Sequence, residues 1–210
     1  HSSVAPVLRE AIAASYRRQT SDNILCFAGA SEGIFAANHA ILEPGDHAIV
    51  VTPNYQSHET LPLAIGSATG VPLDATEGWQ LDVARVVAAV RPTGAILSPV
   101  RYEALIARCR HHGLYLLHDE IFHGLGPSGA AHLPFAADIY ERGLSLGVMS
   151  KAYGLPGLRI GWIACQDKAL LSRLERLKHY LSICNSGPSE VLALIALRFE
   201  RPLRGHGRGR

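Results

Sequence analysis

Short apolar runs alternate with longer stretches in which apolar residues recur every three or four positions, and this alternation is the dominant signal along the chain. Runs rich in β-branched and other apolar residues predict strands at Ile24–Ala28, His47–Thr52, Thr69–Leu73, Gly113–His118, Leu144–Met149 and Arg159–Cys165. Helical spacing predicts helices at Val4–Arg18, Glu32–Leu42, Ser57–Ile65, Val83–Val90, Pro99–His112 and Lys168–Leu181. The punctuation agrees: Glu43-Pro44-Gly45-Asp46 ends one helix, while Ser98 and Pro99 offer another an N-cap and a first-position proline. Strand and helix alternating in this way predict an α/β fold, three layers α/β/α with a mostly parallel sheet covered on both faces.

A chain of 210 residues can bury one substantial core, and 48% hydrophobic with 18% charged residues is ordinary for a globular protein. The formal charge of +2 is too small to imply nucleic acid or a membrane surface as partner. Cys26, Cys109, Cys165 and Cys184 form no Cys-x-x-Cys pair and stand in apolar settings, which predicts reduced thiols and a cytoplasmic protein. His1-Ser2-Ser3-Val4 has no basic segment leading into an apolar run, and no stretch reaches the roughly 18 apolar residues of a membrane span, so neither secretion nor insertion is expected. The first predicted helix begins at once and without methionine, as in a piece of something longer. Residues 199–210 turn to arginine and glycine and predict a disordered tail.

Pockets in open parallel sheets form beyond the carboxyl ends of the strands, and the informative residues fall there. After the first strand, Gly29-Ala30-Ser31-Glu32-Gly33 runs directly into a helix. Small residues let backbone approach a ligand and a helix start offers free amides to an anion, although a plain turn and cap would use the same residues. Thr52-Pro53-Asn54-Tyr55 ends the second strand with an aromatic that either packs locally or stacks on a ring. Asp119 closes an apolar strand at a depth where an unpaired carboxylate is costly, so it needs a helix cap, a basic side chain or a ligand atom. Ser150-Lys151-Ala152-Tyr153-Gly154-Leu155-Pro156-Gly157-Leu158-Arg159-Ile160-Gly161-Trp162 sets a lysine behind a small hydroxyl residue, with an arginine eight positions later across a glycine-punctuated turn. Lysine can condense with an aldehyde as a Schiff base and arginine's planar fork grips phosphate oxygens, so the pair suits an aldehyde cofactor that carries a phosphate. His111, His112, His118 and His123 lack the spacing of metal ligands, and no metal is expected.

In this order the motifs resemble those of the class I/II aminotransferases, fold-type I enzymes that use pyridoxal 5'-phosphate (PLP). The resemblance covers residues 1–198 and implies the cofactor-binding large domain alone, without the small C-terminal domain and its late arginine for the substrate carboxylate. It implies PLP on Lys151 as a Schiff base, its phosphate on Ala30, Ser31, Glu32, Ser150 and Arg159, its ring stacked by Tyr55 and its pyridine nitrogen held protonated by Asp119. Transamination between an amino acid and a 2-oxo acid follows, with Lys151 as general base and a homodimer as the assembly. Ser150–Trp162 together with Thr52–Tyr55 is similar to capreomycidine synthase-like members, which cyclise an arginine derivative. Cyclisation or β-elimination on the same scaffold therefore stays open, as does an inactive truncated homologue.

The sequence also departs from the family pattern. Phe122 stands where many relatives carry a tyrosine that donates to the cofactor's phenolic oxygen, and Val148 replaces a phosphate-binding Ser or Thr. Arg91 precedes Pro92-Thr93-Gly94 where relatives have asparagine, and the helix predicted at Val83–Val90 runs straight into it. A central strand near residues 90–92 is expected to be lost, as if a deletion had joined two similar dipeptides.

Overall fold

The computed structural model describes residues 6–73, 75–79, 81–82, 84–85, 99–123, 125 and 133–206. In chain order its main elements are α1 (Pro6–Ala13), β1 (Ile24–Phe27), α2 (Ala30–Ile41), β2 (His47–Thr52), α3 (Gln56–Ile65), β3 (Ser67–Pro72), α4 (Pro99–His112), β4 (Leu116–Asp119), α5 (Ala136–Ile139), β5 (Gly143–Val148), β6 (Gly161–Cys165), α6 (Lys168–Leu181) and α7 (Gly187–His206).

β5 and β6 are buried at every position, which is why they read as continuous apolar runs. They occupy the middle of a four-stranded sheet of order β1-β6-β5-β4, in which β6 alone runs antiparallel to its neighbours. The two-residue period sorts their side chains. Trp162 and Ala164 join Ile24, Cys26, Leu8, Ile12 and Leu197 in a core under α1 and α7. Ile163 and Cys165 join Phe27, Leu144, Leu146, Ile34 and Leu174 under α2 and α6. The expected three layers follow from that division. Glycine lets α2 lie close to the sheet, since a Cβ on Gly33 would meet Leu146 Cδ1 at 3.2 Å.

β2 and β3 form a separate parallel pair, in register from His47 opposite Ser67 to Thr52 opposite Pro72. Among the described residues no backbone ladder joins this pair to β4. A third core does: Ile49 and Val51 of β2 and Val71 of β3 pack with Tyr102, Leu105 and Ile106 of α4 and Leu116 of β4. Segment 91–98 and most of the helix predicted at Val83–Val90 lie outside the described residues.

Other differences have local causes. α1 stops at Ala13 although the apolar period runs on to the buried Tyr16, because the N–H groups of Arg17 and Arg18 donate to the Asp138 carboxylate at 2.7 and 2.9 Å. β4 starts at Leu116 because Gly113, at φ 65°, closes the end of α4 instead. α7 was not expected beyond Leu181; its start at Gly187-Pro188 and the buried Ala193 and Leu197 on one face are the signals for it. Its backbone continues to His206, so the helix reaches into the segment read as a disordered tail. No helix among the described residues is long and apolar enough to cross a membrane.

Candidate active site

α2 begins on Gly29, whose φ of 96° no L side chain adopts comfortably. The first-turn amides of a helix have no intrahelical acceptor, and no side chain caps this one. Arg159, just ahead of the neighbouring strand β6, reaches this point: a Cβ on Gly29 would run into its guanidinium. One further glycine contact and one backbone conformation fix the approach. A Cβ on Gly161 would stand 2.7 Å from Ala30 N, and Arg159 itself adopts left-handed backbone, φ 51° and ψ 46°, at the end of the Pro156–Leu158 turn. Its Nη1 donates to Pro156 O at 3.3 Å, which leaves the rest of the fork facing the α2 start. Free amides, a positive helix end and a guanidinium against a bare α-carbon make a cradle that fits a phosphate.

Glu32 contributes differently from Ala30 and Ser31. Its side chain turns back from the cradle: Oε2 accepts the N–H of Ala28 and lies 3.9 Å from Lys178 Nζ. Only its backbone amide belongs with the cradle.

The second cluster stands at the ends of β4 and β5, neighbours in parallel register with Asp119 opposite Leu146. Asp119 Oδ2 lies 3.0 Å from His58 Nε2, and its Oδ1 accepts the Ile121 N–H at 3.2 Å. A basic side chain, one of the partners left open for this carboxylate, is thus present, and the other oxygen closes a local turn. His58 was not singled out in the sequence. It sits in the first turn of α3, three residues after Tyr55, which precedes the helix and accepts the His58 N–H at its carbonyl.

Lys151 follows β5 in a turn closed by Gly154 N donating to Lys151 O at 3.0 Å. Its Nζ lies 5.8 Å from the centre of the Phe122 ring, three residues past Asp119. Lys151 and Asp119 therefore stand at the same end of two neighbouring parallel strands. Ser150 is half-buried beside the lysine. Tyr55 and Phe122 are large aromatics left 59% and 60% exposed. Arg91 and Pro92-Thr93-Gly94 lie outside the described residues.

A family model described as aminotransferase class I and II matches residues 1–199. An arginine–pyruvate transaminase of Pseudomonas aeruginosa is 29% identical over 219 residues, covering 93% of this chain and 54% of the relative. Capreomycidine synthase of Streptomyces vinaceus is 34% identical over 207 residues, covering 90% and 52%. Among solved structures, an aspartate aminotransferase of Thermus thermophilus superposes with a TM-score of 0.86 at 27% identity, over 95% of this chain and 57% of that one. A PLP-dependent aminotransferase of Streptococcus suis gives 0.85 at 25%, over 94% and 55%. The chain spans about half the length of these relatives.

Proposed function

The chain belongs to the class I and II aminotransferases, and from that membership we propose that it binds PLP on Lys151 and transfers an amino group from an amino acid to a 2-oxo acid. Bound, the cofactor supplies an aldehyde carbon for a primary amine and a ring that takes up the electron pair released at the substrate α-carbon. Lys151 provides that amine from the turn after β5; once substrate displaces it, its Nζ takes the α-proton. Asp119 holds a proton on the ring nitrogen, and His58 Nε2 at 3.0 Å fixes the orientation of the carboxylate. The amides of Ala30, Ser31 and Glu32, the Ser150 hydroxyl and the Arg159 guanidinium bind the phosphate. Tyr55 covers a face of the ring from α3.

The observation that carries this reading is the guanidinium of Arg159 against the bare α-carbon of Gly29, since it joins two anion-binding motifs from distant parts of the chain around one point. Adding PLP to the purified chain should raise an absorbance band near the visible edge that Lys151→Ala abolishes. A wild-type chain that never develops the band would sink the proposal.

The 34% identity to capreomycidine synthase favours a second reading, cyclisation or β-elimination on the same residues. Formation of a 2-oxo acid dependent on pyruvate, against ammonia release or a cyclic product, separates the two. The proposal takes residues 1–198 as the cofactor-binding large domain with one central strand lost near residues 90–92, working as a cytoplasmic homodimer. Sedimentation of the PLP-loaded chain tests the assembly.

A further inference from the structure

Lys178 is an ammonium in an unusual place. On α6 its side chain is 0% exposed, where a lysine is almost never found unless paired. Its Nζ donates to Ser182 Oγ at 2.7 Å and to Asn185 Oδ1 at 3.0 Å, lies 3.9 Å from Glu32 Oε2 and stands 5.7 Å from the centre of the Phe27 ring. Burial pulls the ammonium below its ordinary range, against the opposing pull of the Glu32 charge. None of the roles assigned above uses it.

What it touches outside its own neighbourhood is informative. Phe27 is the last residue of β1, and Glu32 is the third residue of α2. The oxygen of Glu32 that faces Lys178 also accepts the N–H of Ala28, so the lysine, the glutamate and Ala28 close a loop around Gly29, Ala30 and Ser31. The electrostatics point the same way. A carboxylate on the first turn opposes an anion arriving at the helix start, and Glu32 Oε1 is itself buried without a hydrogen-bond partner among the described residues. A buried cation beside it cancels that opposition, with little screening by water.

We propose that Lys178 is a positioning residue for phosphate: paired with Glu32, it fixes the turn from Ala28 to Glu32 and offsets the carboxylate charge that would otherwise repel an anion from Ala30, Ser31 and Arg159. The inference rests on reading that turn as the cofactor's phosphate cradle.

The test compares PLP with pyridoxal, which lacks the phosphate, by equilibrium dialysis on the full chain. Lys178→Met is expected to weaken PLP by roughly tenfold or more, the scale of losing an outer-shell partner, while pyridoxal changes by less than about twofold. Adding Glu32→Gln to Lys178→Met is expected to restore most of the preference, because the repelling charge is gone and the amide oxygen still accepts from Ala28. If Lys178→Met does not fold, Lys178→Gln keeps a donor without the charge and is read in the same way. Parallel loss of both ligands, an unchanged ratio, or no rescue in the double variant overturns the assignment to Lys178. A wild-type chain that binds PLP and pyridoxal equally overturns the cradle beneath it.

Discussion

His58 Nε2 and Asp119 Oδ2 meet at 3.0 Å, tying the first turn of α3 to the end of β4. The His58 side chain is the more enclosed of the two, at 10% exposure against 26%, so the histidine acts as a fixed backstop for a carboxylate that still opens toward the strand ends. On the proposed function, Asp119→Asn should lower turnover by about 10²–10³-fold, the loss of a preorganised charge beside the ring nitrogen. His58→Ala should cost about tenfold, through loss of orientation. Steady-state kinetics beside unchanged circular dichroism checks both, and equal losses from the two substitutions would contradict the hierarchy.

Phe122 offers Lys151 only a ring face, with Nζ 5.8 Å from its centre. Phe122→Tyr places a hydroxyl donor at the position where the family resemblance implies one. A donor to the cofactor's phenolic oxygen stabilises its deprotonated form, so the absorbance titration of the PLP-loaded chain should move to lower pH, by about one unit. A midpoint that stays put would show that residue 122 does not reach that oxygen.

Gly161 stands where β6 meets the α2 start, and an added methyl would lie 2.7 Å from Ala30 N and from Gly29 C, both backbone atoms that cannot swing aside. Gly161→Ala should destabilise the chain by about 1–3 kcal/mol in urea denaturation, the usual cost of overpacking. It should also weaken PLP more than pyridoxal. Wild-type stability would mean that the α2 start yields more readily than its packing implies.

The thiols divide by burial. Desolvation pushes Cys26 up to about 12 and Cys109 and Cys165 to about 11, while Cys184 is exposed. A disulfide reagent at neutral pH should modify Cys184 alone in the native chain, the other three following only in denaturant. Mass spectrometry of the labelled peptides decides it, and rapid native labelling of Cys26 would contradict its packing.

Asp167 caps α6 by accepting the Leu170 N–H at 3.0 Å and takes the Tyr115 hydroxyl at 2.7 Å. Partial burial raises its carboxyl, but these hydrogen bonds together with the Arg142 charge outweigh it and hold the group below its ordinary value. The folded state therefore favours the ionised form: the contribution is full above the unfolded carboxyl's value and is lost as pH falls through the folded one. Asp167→Ala should cost about 1 kcal/mol at neutral pH and flatten the acid limb of the stability curve. A melting temperature equally pH-dependent below pH 4 in both proteins would place that limb elsewhere.

Much of this arrangement is legible in the linear pattern where local rules act alone. The largely apolar runs of β5 and β6 mark the middle of the sheet, and the helix starts read at Pro99 and Lys168 are the ones the structure keeps. The order of Gly29, Tyr55, Asp119, Lys151 and Arg159 along the chain already follows the strand ends. What stays hidden depends on partners far apart in sequence. Asp138 takes two backbone amides and ends α1 early; His58 finds Asp119; the Glu32 side chain meets Lys178 and the Ala28 N–H. No spacing rule connects such pairs, because the fold alone brings them within reach.

Among the described residues no backbone ladder joins the β2–β3 pair, which leads into Tyr55 and His58, to the four-stranded sheet that carries Asp119, Lys151 and Arg159 at its edge of strand ends. The cofactor site proposed above would then straddle a seam, and loosening it would part Tyr55 from Asp119 and Lys151. Amide exchange along β2 and β4, followed as PLP is added, would register the ligand acting as the stitch.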